Sequence, residues 1–336
     1  MELFPLFFFV DLAWRVRHGS PMSTDTDYRY IFGPVPSRRL GRSLGVDLSP
    51  LKTCTLDCVF CQLGRGPSRG AERFEAVPVG EVFEELAHWL KHDGQADWVT
   101  LSGSGEPTLH SRFGEVIDFV RERTELPVAL LSNGTLFGQA DVRQSAARAQ
   151  LVKISLSAWD QHSFEAINRP HPEISFDGVM EGYHAFREQY RGTLWIEVFL
   201  IPGMNDRPDD VSRIAALARE IRPDSVQLNT AVRPPAEGFV QPLAAGALHE
   251  MAALFDPPAE VIASFRGSGG NPRAPRSASI LALLKRHPAP AEDIASMLAC
   301  PVADILPTLQ ALEAAGRVWT DERDAARHYR VTPTDS

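Results

Sequence analysis

The chain has 336 residues, room for about two domains and a large buried core, and its 44% hydrophobic and 23% charged residues are those of an ordinary soluble globular protein. A net charge of −9 argues against a protein that coats nucleic acid through bulk charge, though a local basic patch stays open. Four cysteines in a chain this long make no disulfide framework. Three of them, Cys54, Cys58 and Cys61, crowd into one short stretch, which points to a metal or redox site in a reducing compartment, by default the cytoplasm.

Taken in order, the chain begins with "MELFPLFFFVDLAW", an apolar run too short to span a bilayer. Acidic Glu2 stands where a signal peptide carries positive charge, and a second methionine, Met22, comes just before the globular pattern. Residues 1–27 therefore read as an extension, disordered or an upstream mis-start, with an amphipathic anchor as the alternative and no membrane span expected. Short β-branched runs follow at 44–48, 98–102, 128–132, 151–157, 194–200 and 225–229. Between them "VGEVFEELAHWLKH", "RFGEVIDFVRER", "FDGVMEGYHAFREQ" and "DDVSRIAALAREI" carry apolar residues at helical spacing. Repeated β–α units of this kind predict an α/β fold around a parallel sheet, open or curled into a barrel, over residues 28–266.

Beyond residue 230 the pattern loosens; "AEVIASF" (259–265) reads as one more strand, and the Gly/Pro stretch 267–276 as a linker crossed by few contacts. Residues 277–333 give three helical segments and a strand–turn–strand, which resembles a small winged helix-turn-helix domain. Its third helix, within 302–315, has no Lys or Arg but carries Asp304, Glu313 and Pro307. Duplex DNA is thus not an expected partner, and an RNA, a protein contact or substrate presentation suits this part better. Cys300, at the turn before that helix, reads as a small buried apolar residue.

The strand ends locate the chemistry. The first strand runs into "KTCTLDCVFCQLG" (52–64), the second into "GSGEPTLH", the third into "NGTL", the fourth into "SLSAWD", the fifth into "IPGMND" and the sixth into "NTAVRPP". Polar groups and glycines thus gather at the C-terminal ends of the strands, the rim where parallel α/β folds bind ligands. Structural zinc takes four protein ligands, and no histidine lies within the cysteine loop to be the fourth. A [4Fe–4S] cluster on three thiolates keeps one iron open.

The C-x3-C-x2-C spacing, with the motifs that follow it, resembles the radical S-adenosylmethionine superfamily. The resemblance implies a partial (β/α)6 barrel in which Cys54, Cys58 and Cys61 hold a [4Fe–4S] cluster. Its open iron is chelated by the amino and carboxylate groups of S-adenosylmethionine, whose S–C5′ bond is broken reductively to free a 5′-deoxyadenosyl radical. It also implies an electron donor such as flavodoxin or ferredoxin. By the same match Phe60 and Ile201 approach the adenine, and Ser104, Gly105 and Glu106 face the methionine amino group. Ser132 and Asn133 meet the ribose, and Ser155 supplies a polar contact. "YIFGPVPSRRLGRSLGVDLSPLKTCTLDCVFCQLG" and "VQLNTAVRPP" look like the wyosine-synthase-like Fe–S oxidoreductases over roughly residues 28–270. No cysteine precedes Cys54, so the second cluster of true wyosine synthases is not implied.

Arg38, Arg39 and Arg42 before the first strand, expected near the rim, and Arg233 after the sixth suit a phosphate or carboxylate of the substrate. Lys52 and Lys153 are left open between cofactor and surface. The substrate stays open between an RNA base, a peptide and a metabolite. The competing class is a cluster-bearing regulator that senses iron or redox state.

Overall fold

Order in the main sheet follows from one topological fact: its strands never change direction of travel across the sheet. The computed structural model describes residues 28–37, 39–50, 52–66, 70–231, 235–262, 277–286, 289–297, 301–323 and 326–332. Arg38, Arg233, Cys300, residues 1–27 and the 267–276 stretch lie outside them.

Strands β1 (Ile31–Ser37) and β2 (Gly41–Val46) form an antiparallel hairpin. Then come α1 (Val79–His92), β3 (Trp98–Leu101), α2 (Phe113–Arg123), β4 (Val128–Leu131), α3 (Ala140–Ala146) and β5 (Leu151–Ser155). They are followed by α4 (Gln161–Asn168), α5 (Phe176–Gln189), β6 (Thr193–Phe199), α6 (Pro208–Ile221), β7 (Ser225–Asn229), α7 (Ala245–Ala252) and β8 (Glu260–Val261). The eight strands lie side by side in chain order, and every pair after β1–β2 is parallel. Right-handed crossovers that always advance the same way put all the helices on one face.

That face is apolar. Leu44, Val99, Val128, Val152, Ile196 and Leu228 are at most 1% exposed and pack under helix residues such as Leu86, Ile117, Phe186 and Ile214. Each such side chain contributes about 1.5–3 kcal/mol on burial. Helix α1 shows why the periodicity was readable: Val79, Val82, Leu86 and Trp89 form its buried stripe. The six expected strands are β2 to β7, each within a few residues of its expected place. Strand β1 was not foreseen, because Pro34 and Pro36 break the strand pattern; as an edge strand paired only with β2 it tolerates them.

The opposite face is polar where the sheet is most regular. Ser43 and Thr100 hydroxyls meet at 2.5 Å, and Lys153 Nζ lies 2.6 Å from Glu197 Oε2. Asn229 Nδ2 donates to Glu197 Oε1 at 2.8 Å, and the Arg39 guanidinium donates to Gln227 Oε1 while lying over the Trp195 ring. This corrects the expected place of the arginines. Arg39 precedes β2 and Arg42 is its second residue, so they sit at the strands' N-terminal ends, opposite the cysteine loop; Arg42 binds Asp97, the residue before β3, at 3.0 Å. Neither reaches the rim, and Lys153 belongs to this interior network rather than to the surface.

After the undescribed stretch come α8 (Ser277–Arg286), β9 (Ala289–Pro290), α9 (Ala291–Met297), α10 (Val302–Ala314), β10 (Val318–Arg323) and β11 (Ala326–Val331). Their small antiparallel sheet runs β10–β11–β9. Ile280, Leu284, Ile294, Ile305, Leu309 and Tyr329 form a core separate from that of the main sheet. Helix α8 lies against β1, so the C-terminal part touches the sheet edge instead of standing apart from it.

The interior network makes a pH prediction. Burial would raise the Glu197 carboxyl, yet Lys153 and Arg39 hold it down to about 2, from an ordinary 4.5. A carboxyl lowered on folding stabilises fully above its unfolded pKa and loses that effect as pH falls toward the folded one. Glu197→Gln should therefore lower the urea midpoint at pH 7, and its deficit against the wild type should shrink as the pH is taken from 4.5 toward 2. A deficit independent of pH would contradict this.

Candidate active site

The cysteine loop is attached to its neighbour by backbone. After β2, Asp47 turns its carboxylate into the β3 loop, accepting from the Ser104 amide at 3.0 Å and the Ser104 hydroxyl at 2.6 Å. Lys52 N then donates to Ser104 O at 2.5 Å, and Glu106 N to Thr53 O at 2.8 Å, with Thr53 and Gly105 paired as in a parallel ladder. This explains the glycines of "SGSGEP". A Cβ on Gly105 would stand 2.0 Å from Thr53 O, and one on Gly103, whose φ is +147°, would stand 2.4 Å from the Asp47 carboxylate oxygen.

Glu106 carries the connection on to β4. Its carboxylate is buried and accepts from Thr108 N (3.1 Å), Thr108 Oγ1 (2.6 Å), Ser132 Oγ (2.7 Å) and Asn133 N (2.7 Å). The resemblance had Glu106 and Ser104 facing the methionine amino group. Both side chains make hydrogen bonds within the protein, Glu106 with Thr108 and the β4 loop and Ser104 with Asp47. Asn133 in turn donates from Nδ2 to Cys54 Sγ at 3.4 Å and to Thr55 Oγ1 at 3.0 Å. Tyr183, 1% exposed, reaches from α5 to bond both Asn133 O and Ser155 O at 2.7 Å. Three strand ends thus converge on the cysteine loop, and Ser155 lines a small cavity there with Leu56, Asn133, Asn168 and Tyr183.

The three cysteines are half-buried and reduced. Burial, followed by the nearby Glu106 charge, pushes the Cys54 thiol up to about 12; burial and then Cys54 push Cys58 up as well. Asn168 Nδ2 donates to Cys58 Sγ at 3.3 Å, and Leu56 N to Cys54 Sγ at 3.4 Å. Lys52 Nζ is buried 3.2 Å from Asp57 Oδ1, out of line for a hydrogen bond to it or to any other described residue. Burial works against its charge, but Cys61 and Asp57 together hold its pKa above the ordinary value.

This donor set fits a cluster. Thiols raised this far become thiolates only against strong positive charge, which iron supplies. Among the described residues no three His, Cys, Asp or Glu side chains converge tightly enough to hold a single metal ion. Beside the loop, Phe60 stacks on Phe199 with centroids 4.2 Å apart, against a cluster holding Val59, Ile167 and Ile201. Phe60 is partly open, whereas Ile201 is fully buried behind it. Lys52, left open between cofactor and surface, is buried at the loop; Asp47, Thr108, Asn168 and Tyr183 were missed as site-building residues, and nothing in their spacing marks them: Asn168 is 110 residues from the cysteine it touches.

A parallel α/β sheet with a three-cysteine loop at its C-terminal rim, locked to a Gly-Ser-Gly-Glu loop, defines the class. The Radical SAM superfamily model matches residues 48–217, and the chain belongs to that superfamily, whose enzymes use a [4Fe–4S] cluster and S-adenosylmethionine. A UPF0026 protein of Methanocaldococcus jannaschii is 32% identical over 227 residues, 67% of this chain and 70% of that one. A Brachyspira hyodysenteriae protein named GTPase Obg is 38% identical over 203 residues, 60% of this chain; the match spans only 30% of that relative's length. Among solved structures, Streptococcus suis SuiB bound to S-adenosylmethionine superposes with a TM-score of 0.50 at 14% identity, over 66% of this chain and 50% of SuiB, a likeness of fold. Among the described residues no helix is long and apolar enough to cross a membrane.

The loop junction can be tested by a pair of substitutions. Gly105→Ala meets a backbone oxygen that cannot step aside and should cost several kcal/mol, on the order of an overpacked core position. Ser104→Ala removes one hydroxyl while Asp47 keeps its backbone donors, and should cost about 1–2 kcal/mol. Thermal denaturation of both should rank them so; equal midpoints would show that the junction is not tight.

Proposed function

We propose that the chain is a radical S-adenosylmethionine enzyme that modifies its substrate through a 5′-deoxyadenosyl radical. The observation that carries this is the locked pair of loops: three thiols with no fourth cysteine beside them among the described residues, held against "GSGE" at the rim of the sheet. Cys54, Cys58 and Cys61 would hold the [4Fe–4S] cluster. When bound, it supplies one electron, drawn from a donor such as flavodoxin or ferredoxin, to the sulfonium of S-adenosylmethionine, so that the S–C5′ bond breaks to methionine and a 5′-deoxyadenosyl radical.

The protein's part is to hold and exclude. Glu106 acts as a positioning residue: by fixing Ser132 and the Asn133 amide it sets the wall that the ribose meets. Phe60 offers its open side to the adenine, with Ile201 supporting it from behind. The methionine amino group then falls to backbone carbonyls of residues 103–106 and not to a free carboxylate. Below the rim, the face bearing Lys153, Glu197 and Asn229 presents hydrogen-bonding groups to a polar substrate. Arg39 supports this wall from the far end, and Arg38 and Arg233 keep their proposed part in holding a substrate anion. Residues 277–332 are proposed to contact an RNA or protein partner.

Anaerobic reconstitution should give about four iron and four sulfide per chain. Replacing Cys54, Cys58 or Cys61 with Ala should abolish this, and Cys300→Ala should not. The loaded, dithionite-reduced protein should convert S-adenosylmethionine to methionine and 5′-deoxyadenosine. Glu106→Gln, which keeps acceptor capacity on one oxygen only, should slow that conversion without emptying the cluster. A full cluster that never cleaves the cofactor would overturn the enzymatic reading and favour a sensor.

A further inference from the structure

Two side-chain amides point at cysteine sulfur. Asn168, the last residue of α4, is 4% exposed, and its Nδ2 donates to Cys58 Sγ at 3.3 Å. Asn133, from the loop after β4, donates to Cys54 Sγ at 3.4 Å. They come from different elements, and each contacts a different sulfur. A buried carboxamide must find a partner, and a core position with no sulfur to bind would be filled more stably by an apolar side chain. Asn168 is held in place by its own backbone, whose carbonyl accepts from Asp57 N at 3.0 Å inside the cysteine loop. The aim of the amide at Cys58 is therefore tied to the loop it serves.

Resting on the cluster reading above, we infer that the Asn168 and Asn133 carboxamides tune the reduction potential of that cluster by hydrogen-bonding its thiolate ligands. An N–H donor draws charge from a thiolate sulfur and favours whichever state carries more negative charge, here the reduced one. Burial does the opposite, since a low-dielectric site resists an added electron. Cys54 and Cys58, both packed against the main core, each receive a side-chain amide donor. The donors offset the burial and bring the potential up toward the reach of a flavodoxin-like or ferredoxin-like donor. Asn168 is the separable member of the pair, because among the described residues its side chain bonds the sulfur alone, whereas Asn133 also bonds Thr55 and Thr135.

The test is an anaerobic redox titration of the reconstituted full chain, followed by electron paramagnetic resonance, in wild type and Asn168→Leu. Leucine keeps the branched shape and removes the donor. With iron and sulfide content matching the wild type, the variant should hold its added electron about tenfold less tightly, a midpoint about 59 mV lower for one electron. Asn168→Asp keeps the volume and sets a carboxylate beside the sulfur, so its midpoint should fall further. An unchanged midpoint in either variant with a full cluster would overturn the inference. So would loss of the cluster in both, which would make Asn168 an assembly residue. A wild-type chain that takes up no cluster would instead defeat the reading this rests on.

Discussion

The site depends on one short piece of backbone, where Lys52 and Thr53 lie against residues 104–106. Two amide–carbonyl bonds, Lys52 N to Ser104 O and Glu106 N to Thr53 O, make the cysteine loop an extra parallel rung beyond the ends of β2 and β3. A loop carrying three reactive groups cannot be left mobile if those groups must meet one cofactor in one geometry. The glycine at 105 is the cost of that closeness, and Asp47 is its brace. From there Glu106 hands the constraint to β4 through Ser132 and Asn133, and Tyr183 hands it to β5. Fixing one rung fixes the whole rim.

Charge follows the same plan from the other side. The rim gathers thiols that burial keeps protonated until a positively charged group arrives, together with a lysine ammonium that has no aligned partner among the described residues. Below the rim the charges are already paired: Arg39 reaches in from the far end to Gln227, and Lys153 and Glu197 pair with each other with help from Asn229. The thiols are the groups at this rim whose chemistry awaits a bound positive charge.

How much of this could be read from the sequence divides along physical lines. Strands β2 to β7 and helices α1, α2, α5 and α6 were legible because each buries one periodic face, and periodicity survives in a linear string. Helices α3, α4 and α7 were not singled out, since at seven or eight residues they are too short for a stripe to repeat. The three cysteines and the Gly-Ser-Gly-Glu loop were legible from spacing and order. The direction of the Glu106 and Ser104 side chains was not, because a motif gives residue types and says nothing of which hydrogen bonds they complete. Asn168 and Tyr183 were invisible for a further reason: their contacts with Cys58 and Ser155 exist only after the sheet has brought distant segments together. Arg39 went to the wrong end although β2 was expected between it and the cysteine loop: a residue that precedes a parallel strand lies at its N-terminal end, a strand's length from the rim that follows it.

The central claim is that three thiolates and no fourth protein ligand hold the cluster at this rim, leaving one iron for S-adenosylmethionine. Mössbauer spectroscopy of the chain reconstituted with 57Fe, recorded with and without S-adenosylmethionine, tests it most directly. The account predicts that the cofactor changes the signal of one iron in four and leaves three unchanged. Four irons indifferent to S-adenosylmethionine would contradict it, because the open position on which the whole rim is built would not exist.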